Sequence, residues 1–275
     1  MYDETLSAPQ MQRARGRAAV SFAMDRGRVR LKDLHQSGSA KAMLPRVHSE
    51  TPEVVFLNTA GGLTGGDDMR FSLDVGAGCR VTATTQTAER AYAASAGHAS
   101  LDVDIRAGAG ASVDWLPQET ILFQRSALHR RTRIALEGDA TCLTVETLVL
   151  GRAAMGETLT TLDVTDRREV TRDGAPVLLE PLRLTDAALA AGPGHAVLGG
   201  ARALATVALV AKGAEDALSR VRAVLDADGV EAAASGWDGK CVVRALAQDG
   251  FPLRRLVAQV LMTLRPGPLP RVWQI

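Results

Sequence analysis

The chain has 275 residues, of which 46% are hydrophobic and only 4% aromatic, long enough for one large domain or two small ones. Its 32 Lys and Arg are balanced by 31 Asp and Glu, for a net charge of +1. That balance supplies no basic footprint for nucleic acid and none for an anionic membrane, and so few aromatics leave the core to Ala, Val, Leu and Ile.

The first residues, Met1-Tyr-Asp-Glu-Thr, are acidic and carry no apolar run, so no signal peptide is expected; residues 1 to 16 read as a mobile tail. Arg17 to Phe22 and Arg28 to Leu34 alternate on either side of Asp25-Arg26-Gly27, which predicts a hairpin. Val54 to Leu57 and Arg70 to Val75 read as two further strands. Between them lies Asn58-Thr-Ala-Gly-Gly-Leu-Thr-Gly-Gly-Asp67. Gly61, Gly62, Gly65 and Gly66 call for positive φ or close approach of another segment, and they are too dense for an ordinary two-residue hairpin. A phosphate cradle would end in Gly-Lys-Ser/Thr, and a dinucleotide loop would open a helix. Here the carboxylates Asp67 and Asp68 follow, then a strand, so the residues themselves read as a structural turn.

From about Phe71 to Leu150 the pattern repeats. Leu73-Asp-Val75, Leu101 to Ile105 and Thr132 to Leu136 each run into a glycine turn, at Gly76, Gly108 and Gly138, and out into a second alternating strand. A recurrence of roughly 30 residues falls in the range of stacked supersecondary units. We therefore expect a mainly β protein with layered, solenoid-like strands; an antiparallel meander would give a similar spacing. Leu101, Val103 and Ile105 are expected to point inward, as are Leu143, Val145 and Thr147.

After about Thr185 the pattern changes. Ala187 to Ala211 is apolar but is broken by Pro193, His195 and Arg202, so it is no membrane span. Leu204 to Val210 and Cys241 to Leu246 read as strands. Ala214 to Asp226 carries Ala217, Leu218, Val221, Val224 and Leu225 at helical spacing, with Gly229 as a stop. Pro252 to Leu264 predicts a second helix, closed by Pro266. No linker-like composition divides the chain, so 1–275 is expected to be one unit: a β core over 71–184 and a strand- and helix-containing region over 185–275.

Little of the chain carries recognisable chemistry. His35, His48, His98, His129 and His195 have no metal-ligand spacing. There is no P-loop and no Gly-x-Ser-x-Gly elbow. Cys79, Cys142 and Cys241 form no CxxC and read as buried, reduced thiols. The carboxylates Glu119, Glu146, Glu157, Asp163 and Asp166 remain. Glu119 with Glu157 could serve a β-solenoid enzyme acting on a sugar or acidic substrate, given facing geometry; a hydrogen-bonded turn with Arg152 is the other reading of Glu157.

Several segments share a resemblance. The glycine loop, Trp115-Leu-Pro-Gln-Glu-Thr-Ile-Leu-Phe123, Leu150-Gly-Arg-Ala-Ala-Met-Gly-Glu157, Asp166-Arg167 with Arg172-Asp173-Gly174 and Leu182-Arg-Leu184, and finally Leu253-Arg-Arg, Leu264-Arg-Pro and Pro270-Arg-Val-Trp273 resemble, in order, the signatures of the urease accessory protein family UreD, also called UreH. One departure is Ala91-Tyr92-Ala93-Ala94, where members often have Arg after the Tyr. The resemblance implies a cytoplasmic, non-catalytic maturation chaperone, which joins UreF and the GTPase UreG on apo-urease, with a homodimer inside the accessory complex. It implies no tightly bound cofactor, with nickel in transit along an internal route. Gly61, Gly62, Gly65, Gly66 and Asp67 would then form a folding or partner-binding loop. Glu119 and Glu157 would be transit residues, since carboxylates hold Ni²⁺ weakly enough to release it. Part of the helical region from Ala214 would meet UreF.

Overall fold

The computed structural model describes residues 12–46, 51–191, 194 and 198–274. His48 and His195 lie outside the described residues, as do residues 1–11 of the expected tail, and Arg15 already belongs to a strand. The chain opens with β1 (Arg15–Asp25), β2 (Arg28–Gly38), β3 (Ala40–Met43), β4 (Glu53–Asn58), β5 (Asp68–Val75) and β6 (Arg80–Thr85). It continues through β7 (Glu89–Ala91), β8 (Ala99–Ala107), β9 (Ser112–Leu116), β10 (Thr120–Leu122), β11 (Ala127–Leu136) and β12 (Thr141–Leu150). Next come β13 (Asp163–Arg172), β14 (Ala175–Thr185), α1 (Asp186–Ala190), β15 (Ala203–Val210) and α2 (Leu218–Arg222). β16 (Val230–Trp237), β17 (Lys240–Ala247) and α3 (Gly250–Leu264) complete the framework.

The strands form two sheets. One is ordered β14-β13-β11-β8-β5-β1-β2; the other runs β16-β17-β15-β12-β9-β6-β4-β3, with β7 and β10 attached beside it. Consecutive coils stack in parallel: β5 on β8, β8 on β11 and β11 on β13 in the first sheet, β4 on β6, β6 on β9 and β9 on β12 in the second. The repeat is therefore a solenoid and not a meander. Its inward rungs line up across coils, as in Val20, Leu73, Ile105, Ile134 and Val170, all buried. The turns stack as well: Asp139 accepts from the Gly110 amide at 2.7 Å and Asp173 from the Gly138 amide at 2.9 Å. Antiparallel hairpins close both ends of the first sheet, β1 with β2 and β13 with β14.

A second core lies on the far face of the second sheet, under α3. Leu253, Leu256, Val257, Val260, Leu261 and Leu264 form the buried stripe of that helix, and Asp249 caps it by accepting from the Phe251 amide. This second layer corrects one expectation. Leu143 and Val145 are buried, but in the core under α3 and not between the sheets. β12 is covered on both faces, so burial does not report direction along it.

The first of the two expected helices is shorter than its spacing predicts: a single 3-10 turn over Ala214–Ala217 leads into the five-residue α2. Residues beyond Arg222 leave the helix although Val224 and Leu225 still pack on the second core. β16 is a strand that the sequence pattern does not predict. Its sequence, VEAAASGW, has weak β propensity, and its pairing with β17 is what makes it one. No described helix is long and apolar enough to cross a membrane. All three cysteines are free and buried, and burial pushes the Cys142 thiol up to about 12.

Candidate functional site

The glycine loop carries the chain from β4 in one sheet to β5 in the other, and two contacts require glycine there. A Cβ on Gly65 would lie 2.1 Å from the Ala96 carbonyl oxygen, and one on Gly62 would lie 2.3 Å from Tyr92 Cε2. Gly61 and Gly66 hold positive φ, at 80° and 90°. Asp67 is the organiser of the loop. Its side chain is buried and accepts from the Ala14 and Thr64 amides, each at 2.8 Å. Leu63 pairs with the next coil, donating to Arg90 O at 2.7 Å and accepting from the Tyr92 amide at 2.8 Å.

Three of the segments that share the resemblance meet on this flank: the glycine loop, the end of 115–123 and the turn over 150–157. Tyr92 Oη donates to Gly61 O at 3.1 Å, and its ring stands edge-on to Phe123, with centroids 5.0 Å apart. The Arg152 guanidinium lies 4.5 Å over the Phe123 ring and bonds Glu157 at 2.8 Å. Arg202 then donates to Glu157 O at 2.7 Å.

Glu157 also accepts from the amides of Gln124 and Arg152, both at 3.0 Å. Its bonds with Arg152 and these amides hold its carboxyl down at about 2 against some burial. The stabilisation it supplies is therefore complete above the ordinary carboxylate range and is lost progressively as pH falls from that range through about 2. Glu157→Gln is expected to cost roughly 1–3 kcal/mol, the range for losing charged hydrogen bonds. Urea denaturation at neutral pH measures it; an unchanged midpoint would show that the turn does not need the charge.

Glu119 sits elsewhere, with Arg254 of α3 bonded to it at 2.8 Å. The same guanidinium lies over the Trp273 ring, so Glu119 helps to pin α3 to the β coils. The structure does not bring Glu119 and Glu157 together, and each is held by an arginine. Asp163, also singled out by the sequence, bonds His98 at 2.9 Å.

Two other carboxylates are buried more deeply. Arg130 on β11 bonds Asp166 of β13 through Nη2 at 2.7 Å and Nε at 3.1 Å. Its Nη1 reaches Glu146 of β12 at 2.8 Å and Thr120 Oγ1 at 3.0 Å. All three charged side chains are almost completely buried. Burial by itself would depress Arg130, but Asp166 and Glu146 outweigh it and keep the guanidinium charged. Burial likewise opposes Asp166, yet Arg130 holds it below its ordinary range, whereas for Glu146 burial prevails and pushes the carboxyl up. Beside this cluster is a cavity of about 50 Å³ lined by Asn58, Glu89, Gln118, Trp115, Arg130 and Glu146 among others. A water needs about 10–15 Å³, and the buried Gln118 Nε2 has no protein partner, so the space suits water. Among the described residues no group of three or more His, Cys, Asp or Glu side chains is arranged to hold a metal ion.

Sequence reasoning did not single out Arg130 or Glu89. For Arg130 a signal was present: it occupies an inward position of the alternation Leu128, Arg130, Thr132, Ile134, Leu136, and Asp166 occupies the matching position after Val164. Opposite charges at matched inward positions of neighbouring coils are a pair waiting for register.

Residues 14–274 match the family model described as UreD urease accessory protein. The chain belongs to the UreD family. Similar proteins named urease accessory protein UreD include one from Cereibacter sphaeroides, 64% identical with 96% of each chain covered. Another, from Dinoroseobacter shibae, is 54% identical over 98% of this chain and 95% of its own. A third, from Paracoccus denitrificans, is 49% identical over 100% and 97% respectively. The matched span runs from the strand that Asp67 ties down through the Trp273 that Arg254 covers, so the UreD match takes in both cores and the whole glycine-loop flank.

Proposed function

We propose that the protein is a non-catalytic scaffold in urease maturation, which holds UreF and the GTPase UreG on apo-urease in the cytoplasm and assists nickel delivery. The observation that carries this reading is the UreD match over nearly the whole chain. The geometry is in keeping with it: the carboxylates singled out for an enzyme, Glu119 and Glu157, are occupied by arginines. Nickel is cargo in this reading. The polar interior formed by Glu89, Arg130, Glu146 and Asp166 offers a wetter surrounding than an apolar core, which would exclude a divalent cation. Glu119 and Glu157 contribute by holding α3 and the glycine-loop flank in place.

The outer face of α3 is the surface we assign to UreF. Phe251 and Met262 stand more than half exposed there, beside a groove lined by Pro252, Leu256, Leu269 and Trp273. Because the inner face of α3 covers the second core, removing the helix would unfold that layer; Met262→Glu is the cleaner change. The testing experiment is co-purification of the full chain with UreF, UreG and apo-urease. Wild-type protein is expected to form the complex and Met262→Glu to lose UreF. Failure of wild-type protein to hold any of the three would reject the scaffold reading.

A further inference from the structure

The strand β2 is covered on neither face and on only one edge. All of its residues but Val29 are exposed, although it runs beside β1, whose Ala18, Val20 and Phe22 are buried. The register places Leu34 opposite Val20 and Gln36 opposite Ala18, so these side chains share the inward face. The second sheet ends at β3 and does not reach over the leucines: Leu31 and Leu34 remain 45% and 41% exposed. Gln36 Oε1 accepts from the Ala42 amide of β3 at 3.0 Å. Among the described residues β2 is the last strand of its sheet, with no strand beyond it.

The direction of the backbone groups along β2 follows from β1. Ala14 O accepts from Asp68 N and Phe22 O from Gly76 N, so the even-numbered residues of β1 turn toward β5, and Arg17, Ala19 and Ser21 turn toward β2. Their partners Ser37, His35 and Asp33 bond back to β1, which leaves Leu34 and Gln36 with N–H and C=O pointing outward. An open edge is normally blunted by charges, Lys above all, by Pro or by a bulge. In β2 the cations Arg28, Arg30 and Lys32 and the register shift opposite Ser21 and Phe22 all lie in the first half. The half that follows, Asp33-Leu-His-Gln-Ser37, pairs regularly with β1 and has no cation, proline or bulge.

We propose that two copies of this chain pair through that half-strand, antiparallel and about a two-fold axis at His35, joining their first sheets edge to edge. The half-strand complements itself in this register. Leu34 stands opposite the partner's Gln36 on the inward face, and Gln36 opposite the partner's Leu34, each pair exchanging backbone hydrogen bonds. Leu34 and the partner's Leu34 become diagonal neighbours across the seam, and both lose contact with water. On the outward face Asp33, which accepts from Ser21 Oγ at 3.0 Å, stands opposite the partner's Ser37, carboxylate to hydroxyl. Lys32 falls opposite the partner's Gly38, so the cations of the first half do not oppose one another. A strand of another protein could use the same outward N–H and C=O groups; the side chains, which match their own sequence reversed, select a second copy. Because the seam is isologous it closes at a dimer.

The test is sedimentation velocity of the full-length chain over a concentration series, for the wild type and for Ser37→Lys, Ser37→Asp and Leu34→Pro. Wild-type protein is expected to pass from monomer to dimer as concentration rises. Ser37→Lys sets an ammonium against the partner's Asp33 at both ends of the seam and is expected to tighten the dimer roughly fivefold; Ser37→Asp sets carboxylate against carboxylate and is expected to weaken it by about as much. Leu34→Pro removes an N–H that β1 does not use, so the variant is expected to keep its fold, checked by thermal melting, and to weaken the dimer about tenfold or more. A wild-type chain that stays monomeric throughout the series would overturn the proposal. So would a dimer that folded Leu34→Pro retains at full strength, equal shifts in the two Ser37 variants, or growth past the dimer. Should Leu34→Pro not fold, the Ser37 pair decides alone. The pairing needs neither UreF, UreG nor apo-urease, so each of these failures leaves the scaffold reading standing.

Discussion

Replacing Arg130 with Met is expected to destabilise the protein by about 3–5 kcal/mol at neutral pH, the usual result of removing one partner from a buried ion pair. The midpoint of urea denaturation measures it. The side chains of Glu146 and Asp166 are only 4% and 1% exposed, so neither reaches bulk solvent when Arg130 is gone, and Asp166 keeps only the Arg168 guanidinium, 3.4 Å away. The pH dependence follows from the directions of the shifts. In the wild type Asp166 lies below its ordinary range, so its contribution is present above that range and is lost as pH falls through the lowered value. Glu146 is raised by burial, so its ionisation costs stability as pH rises above the ordinary range. Without Arg130 the burial of both carboxylates weighs more heavily, Asp166 retaining Arg168 alone, and the deficit is expected to shrink as pH falls toward about 4. A deficit that stays flat over that window, or none at neutral pH, would show that the cluster does not depend on these charges. Replacing all three members with apolar residues of similar volume is expected to recover much of the loss.

Gly65→Ala is expected to cost roughly 1–3 kcal/mol through overpacking, because the atoms a Cβ would strike are the Ala96 and Gly97 carbonyl oxygens, at 2.1 and 2.8 Å. Backbone cannot rotate out of the way as a side chain can. Gly62→Val meets the Tyr92 ring and Arg90 O and is expected to have a comparable effect. On the scaffold reading it should also lower urease activation without touching a catalytic group. Thermal melting and an activation assay at matched expression read the two outcomes separately. Normal stability of Gly65→Ala would show that the two coils can part here at little cost, and full activation by Gly62→Val would detach the loop from function.

Much of this was open to reading in the linear chain. The hairpin at Arg26 and Gly27, the glycine turns at about thirty-residue spacing and α3 with its proline near the start follow from local patterns. So does the demand for glycine at Gly62 and Gly65, though not the identity of Tyr92 and Ala96 as the neighbours that impose it. The family resemblance lay in ordered motifs, and the UreD match bears it out. Glu119 and Glu157 stood out because they sit in those motifs. Arg152, five residues from Glu157, was legible as its turn partner, whereas the partner of Glu119 could not be told apart among many: Arg254 is 135 residues away.

By itself, then, the sequence determined the periods, the turn positions, the C-terminal helix and the family. The tertiary structure decided how the periods are used. Alternation states which residues are apolar, but parallel coils and an antiparallel meander satisfy it equally. The hydrogen-bond register between coils resolves that choice, and with it the facing of Arg130 toward Asp166. The direction of Glu146 had the same origin. Its neighbours Leu143 and Val145 are apolar because α3 covers their face, so hydrophobicity alone could not say which side of β12 looks into the solenoid. Burial is a property of what lies against a strand, and residues distant in the chain supply it.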